Sequence, residues 1–198
     1  MPLNDETATS LADLSNLPDS SAVGWKGMKS ICLYEIAWML CLHVELGKEQ
    51  EVFYQAAQYF YRLRLLSMWS ISFYCYLAGS CFLSAGRISD AMKLLEEVEG
   101  NIQQKSGRVP PVEQLGRRRA RRILCSLKYK ELGDVVTFDA QNSMLHHMHF
   151  TCFSPMLELL YLWNCFAQSE PLCRFAAEYT ERWLNTYDNQ SEDEYVTY

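Results

Sequence analysis

An all-α protein built from stacked antiparallel helix hairpins is what this sequence predicts, and three features point to it. The first is residues 72–98, SFYCYLAGSCFLSAGRISDAMKLLEEV, where small residues recur at spacings that let two helices cross closely. The second is a succession of apolar stretches with helical period, broken by short Gly- or Pro-marked segments and without a convincing alternating strand pattern. The third is composition. A chain of 198 residues, 49% hydrophobic and 21% charged, suits a packed domain or a short solenoid rather than a disordered polymer.

Residues 1–24 carry Asp5, Glu6, Asp13 and Asp19 with no basic residue, and read as an acidic disordered leader. A first helix is expected over about 26–46, its apolar face formed by Met28, Ile31, Leu33, Ile36, Ala37, Leu40 and Val44, and Gly47 stops it. A second helix over 49–66 completes a hairpin spanning 26–66. The second hairpin, 67–100, is the clearest: Cys75-x2-Ala78-Gly79-x2-Phe82, then Gly86, then Ala91-x3-Leu95. Gly79 and Ala91 are the small residues a close helix crossing needs, and Gly86 can supply the positive φ that ends the first helix. This is the spacing of a tetratricopeptide unit, with Cys75 where an aromatic is usual and without the closing proline. Ala56-x3-Phe60 repeats the second-helix signature, but four residues later after its glycine than Ala91. About one extra helical turn, or a longer connection, is expected there. The predicted architecture is a tetratricopeptide-like helix-hairpin stack, an α-α superhelix of two to three units.

Residues 100–111, with Gly107, Pro110 and Pro111, read as a connecting loop. A basic helix follows over about 112–127, then a loop over 128–151. Pro155 and Pro171 suit the first turns of two helices that would make a third hairpin over 155–187, with Ala176 or Ala177 at its crossing. Residues 188–198 read as an acidic tail.

The net charge of −6 hides an asymmetry, since nine of the eighteen lysines and arginines lie between Lys105 and Lys130. On a helix Arg117, Arg118, Arg119, Arg121 and Arg122 are expected to share one cationic face, opposite Val112, Ala120, Ile123, Leu124 and Leu127. That face reads as a solvated surface paired with acidic side chains, or as a contact for anionic lipid or for an acidic protein. Nucleic acid is not an expected partner, because the chain is acidic overall and its aromatic residues follow core periods.

The eight cysteines form no CxxC pair, and no basic start followed by an apolar run marks a signal peptide. Free, mostly buried thiols in a cytoplasmic, reducing setting are expected. Residues 68–86 contain no charge and are long enough to span a bilayer. Four serines interrupt the run and the repeat spacing continues through it, so a helix buried on both sides is the preferred reading.

His146, His147 and His149 with Cys152 make a metal-like cluster, but the spacing fits no familiar zinc framework. His43 reads as a satisfied core histidine. No phosphate loop, HExxH or GxSxG occurs, so neither enzyme activity, a cofactor nor a metal is expected. In a tetratricopeptide stack the first helix of each unit lines the inner surface. Tyr34, Trp38, Phe73, Tyr76, Ser80 and Leu83 fall at such positions and read either as plain core or as an aromatic, apolar groove suited to a hydrophobic helix or to another helical layer of the same fold.

The strings CLYEIAW (32–38), WSISFYCYLAGSCFLSAGRISDA (69–91) and LELLYLWN (157–164) resemble the tetratricopeptide repeat protein 39 family, related to a fungal inclusion-body clearance protein. The resemblance spreads over about 30–185, and residues 128–151 depart from it, as an insertion or an alternative exon would. It implies an all-helical interaction protein without catalytic residues. Family members are longer, so it also implies that this chain matches their C-terminal half. The expected function is a non-enzymatic adaptor binding protein partners through the repeat surface. The alternative is a peripheral membrane or lipid-droplet-associated protein using the Arg face. Marginal stability or self-association is expected, since three hairpins without a polar terminal cap are few for an independent solenoid.

Overall fold

The computed structural model describes residues 26–45, 47–66, 70–102, 108–131 and 154–195; the sequence-predicted leader over 1–24 and most of the 128–151 loop lie outside them. Seven α-helices make up the described residues: α1 Lys26–Leu42, α2 Glu49–Leu66, α3 Ile71–Ser84, α4 Ile88–Gly100, α5 Pro111–Glu131, α6 Pro155–Leu162 and α7 Glu170–Tyr195. A short 3-10 turn, Phe166–Gln168, joins the last two. Successive helices α1 to α4 pack side by side as an all-α hairpin stack.

The α1 helix ends at Leu42, before the expected limit of 46. There the His43 amide is shared between the carbonyls of Met39 (3.1 Å) and Leu40 (3.2 Å), which tightens the last turn. Val44 then drops out of the helix into the core. His43 itself is exposed, its Nδ1 2.8 Å from the Met39 carbonyl, so the core-histidine expectation fails. Glu49 and Glu51 in the first turn of α2 and Arg64 in its last complement the helix dipole. Both Ala56 and Ala91 are fully buried. Since α2 and α4 each begin two residues after their glycine, the late arrival of Ala56 reflects an extra turn at the start of α2, not a longer connection.

The α3–α4 crossing is as close as its glycine suggests. A Cβ on Gly79 would lie 3.0 Å from Leu95 Cγ and 3.4 Å from the Ala91 carbonyl oxygen. The turn between the helices is a Schellman motif: Gly86, at φ +76°, donates to Leu83 (3.0 Å), and Arg87 donates to Phe82 (2.8 Å). Every residue of α3 from Ser72 to Leu83 is buried, because α2, α4, α5 and α6 all pack on it. That encirclement explains the charge-free run. No helix among the described residues is long and apolar enough to cross a membrane.

The α5 helix continues to Glu131, so residues 128–131 are helical where a loop was expected. It buries Ala120, Ile123 and Leu127, and half-buries Val112 and Leu124. Gly116 lets α5 come close to α3, since a Cβ there would sit 3.2 Å from Tyr76 Cβ. A buried hydrogen bond, Ser70 Oγ to Glu113 Oε1 at 2.9 Å, ties the start of α5 to the start of α3.

The α6 helix stops at Leu162 rather than near 167. Asn164 takes φ +56° and makes a second Schellman turn, donating to Tyr161 (2.9 Å) while Cys165 donates to Leu160 (2.9 Å). Ser169 caps α7 by accepting from Leu172 N (3.3 Å) and donates to the Leu42 carbonyl at the end of α1 (2.6 Å). The α7 helix runs to Tyr195, taking in residues expected to be tail. The α6 helix packs on α3, and α7 lies against the 3-10 turn and α1, with Phe175 also meeting Phe53 of α2 at 6.1 Å. Ala176 is buried and Ala177 exposed.

Candidate functional site

Five of the six side chains that outline the expected groove are buried, and Tyr34 is half-buried. Trp38 and Phe73 flank Trp163, which follows α6. Its indole stacks on Trp38 at 6.3 Å and 25°, and on Phe73 at 5.9 Å and 17°. Tyr34 meets Trp38 edge-on at 6.0 Å, and Tyr76 lies beneath Gly116 of α5. The inner surface is therefore occupied by the chain's own α5 and by the segment around Trp163. The tryptophan could be found in the sequence, inside LELLYLWN, but its distance along the chain from Trp38 and Phe73 concealed the contact.

The arginines of α5 divide. At about 100° per residue, Arg119 stands about 200° from Arg117, so it leaves the arc shared by the other four. It forms an ion pair with Glu158 of α6. Arg117 and Arg121 both grip Glu99 at the end of α4. Arg121 does so with two parallel bonds of 2.8 Å, and Arg117 adds one of 2.7 Å. The hydrogen bond from Arg121, against some desolvation and with help from Arg117, holds the Glu99 carboxyl below its usual range. Arg118 and Arg122 are exposed. Beside them a cleft of about 830 Å³ opens between residues 108–110 and α5, lined by Arg108, Pro110, Pro111, Arg117, Arg118 and Arg121.

Sulfur gathers in the core. Cys41, Cys81 and Met156 are fully buried, with Cys81 Sγ 3.5 Å from Met156 Sδ. Burial, and then Cys41, push the Cys81 thiol well up. Burial also raises Cys75 to about 11, against the pull of Arg64. Cys75 and Cys81 are therefore protonated, unreactive thiols. Cys32, Cys125 and Cys173 are exposed, so the cysteines are less uniformly buried than expected. Among the described residues no group of three His, Cys, Asp or Glu side chains could hold a metal ion. His146, His147, His149 and Cys152 lie outside those residues.

A hairpin stack whose first clear unit carries Gly79, Gly86 and Ala91 in tetratricopeptide register is matched by one family model, Iml2/Tetratricopeptide repeat protein 39, over residues 3–196. The chain belongs to that family. The Iml2/Tetratricopeptide repeat protein 39 match includes residues 128–151, which were expected to depart from it. No solved structure matches the chain. Membership places it among tetratricopeptide-type helical-repeat proteins, an architecture of protein interaction and typically not of catalysis.

Proposed function

We propose that this chain is a non-enzymatic adaptor that binds a helical segment of a partner protein on the outer face of α1. The observation that carries this reading is a largely apolar arc, interrupted by Glu35, that is exposed among the described residues. Ile31, Ile36 and Met39 are 60%, 42% and 50% exposed, while Leu33, Ala37 and Cys41 on the opposite arc are buried against the stack. Each of α2 and α3 has a helix neighbour on both sides, and α1 presents the surface on which a next helical layer would continue the stack. An amphipathic helix laid along that arc would bury the three side chains, the helix-in-groove mode of recognition.

Tyr34, Trp38, Phe73, Tyr76, Ser80 and Leu83 support the reading less, since all but Tyr34 are buried, Trp38 and Phe73 against Trp163 and Tyr76 beneath α5. Lipid binding through Arg117–Arg122 also has less support, because Arg117, Arg119 and Arg121 are engaged by Glu99 and Glu158. A photo-crosslinking residue at Met39 tests the proposal, with an Ile31→Asp/Ile36→Asp variant as control. Discrete crosslinks to a partner protein, abolished in the variant at unchanged helicity, are expected. Crosslinks that persist in the variant refute the assignment.

A further inference from the structure

We infer that the cleft between residues 108–110 and α5 docks an extended Asp/Glu-rich peptide segment of a partner protein. The inference rests on the adaptor reading only in taking the ligand to be a protein; it concerns a different surface. Charge is the first ground. Arg108, Arg117, Arg118 and Arg121 line the cleft in a chain whose net charge is −6, and of these Arg117 and Arg121 pair with one carboxylate, Glu99. Two guanidiniums share that single carboxylate, so positive charge is left over. The Arg117 Nε is buried and has no hydrogen-bond partner. Arg118 makes one long bond, 3.4 Å, to the Gln114 carbonyl, which leaves its terminal nitrogens for a ligand.

Geometry is the second ground. Glu99 shows that these guanidiniums already take a carboxylate in the fork arrangement that arginine favours. Gln114 Nε2 donates 2.8 Å to the Val109 carbonyl and pins the far wall to α5. Pro110 and Pro111 stiffen that wall and present ring carbons rather than amide donors. A concave site lined by four guanidinium groups and two proline rings admits an extended chain. A planar bilayer surface would meet only its rim.

The test uses the whole chain and fluorescence anisotropy of a labelled ten-residue peptide alternating Glu and Gly, with Gln in place of Glu as the neutral control. The acidic peptide should bind at least about tenfold more tightly than the neutral one, and weaken as added salt screens the contact. Arg108→Glu/Arg118→Glu should weaken binding about tenfold or more. Arg174→Glu/Arg182→Glu on α7, with the same change in net charge, should leave it unchanged. Glu99→Gln frees two guanidiniums and should tighten binding, an effect that general structural damage would not produce. Equal binding of the neutral peptide, or no response to the cleft variants, overturns the inference. Binding to phosphatidylserine vesicles but not to the peptide also overturns it, as does a cleft that binds the peptide only after removal of residues 188–198. The Ile31→Asp/Ile36→Asp variant should retain acidic-peptide binding, so failure of the α1 reading and failure of the cleft are told apart.

Discussion

Gly79→Leu tests the packing that defines the stack. Its Cβ would lie 3.0 Å from Leu95 Cγ, 3.1 Å from Leu95 Cδ2 and 3.4 Å from the Ala91 carbonyl oxygen. Leu95 is 1% exposed and has no solvent to move into. Helix propensity alone favours leucine over glycine by somewhat less than about 1 kcal/mol. Overpacking a close-packed core costs about 1–3 kcal/mol. Here the three carbons beyond Cβ must enter space held by Leu95 and backbone, so overpacking should prevail by about 1–2 kcal/mol net. In a chain of this length a loss of 1 kcal/mol corresponds to about 2–4 °C in Tm. Urea unfolding followed by circular dichroism at 222 nm reads the effect. A partner substitution sharpens it: Leu95→Ala should cost about 2–5 kcal/mol alone. In the double variant the new leucine fills the space vacated, so the two costs should fall short of their sum by at least about 0.5 kcal/mol. A neutral or stabilising Gly79→Leu, or strictly additive costs, would refute the assigned crossing.

Trp163→Ala removes two ring stacks from a half-buried site and should cost about 3 kcal/mol, at the low end for tryptophan truncation; an unchanged urea midpoint would show that the indole does not close the inner surface. In native protein, iodoacetamide at pH 8 should modify Cys32, Cys125 and Cys173 first and spare Cys41, Cys75 and Cys81 until urea is added; peptide mass mapping decides, and early labelling of Cys75 would contradict its burial. Because the folded-state value of Cys75 is raised to about 11, its contribution to stability is present in full below the ordinary thiol range and is lost as pH rises through that value. Cys75→Ala should therefore flatten the alkaline fall in urea midpoint; an unaltered slope would contradict the linkage.

Local pattern carried the second hairpin well. Gly79, Gly86 and Ala91 each require a particular backbone approach or φ, and that requirement is written in residue type. The limits of α1 and α6 were less legible. His43 and Asn164 end their helices by hydrogen bonds that competing helical periods in the same segments conceal. The groove residues were found as a set because they share a helical face, but whether a face is open depends on what packs over it. Trp163 and Gly116 do so from far along the chain. Likewise the arginine cluster was plain, while its division between Glu99 and Glu158 depended on where α4 and α6 come to rest.

The sequence alone determined the helical class, the tetratricopeptide register of residues 72–98 and the concentration of positive charge in α5. Those depend on near-neighbour spacing, which the helix repeat converts directly into faces and crossings. Only the tertiary structure decided that α5 and Trp163 pack over the inner surface, that α6 packs on α3, and that Ile31, Ile36 and Met39 of α1 stay exposed. Those outcomes depend on contacts between residues remote in sequence, and no local period encodes which of several apolar faces will meet.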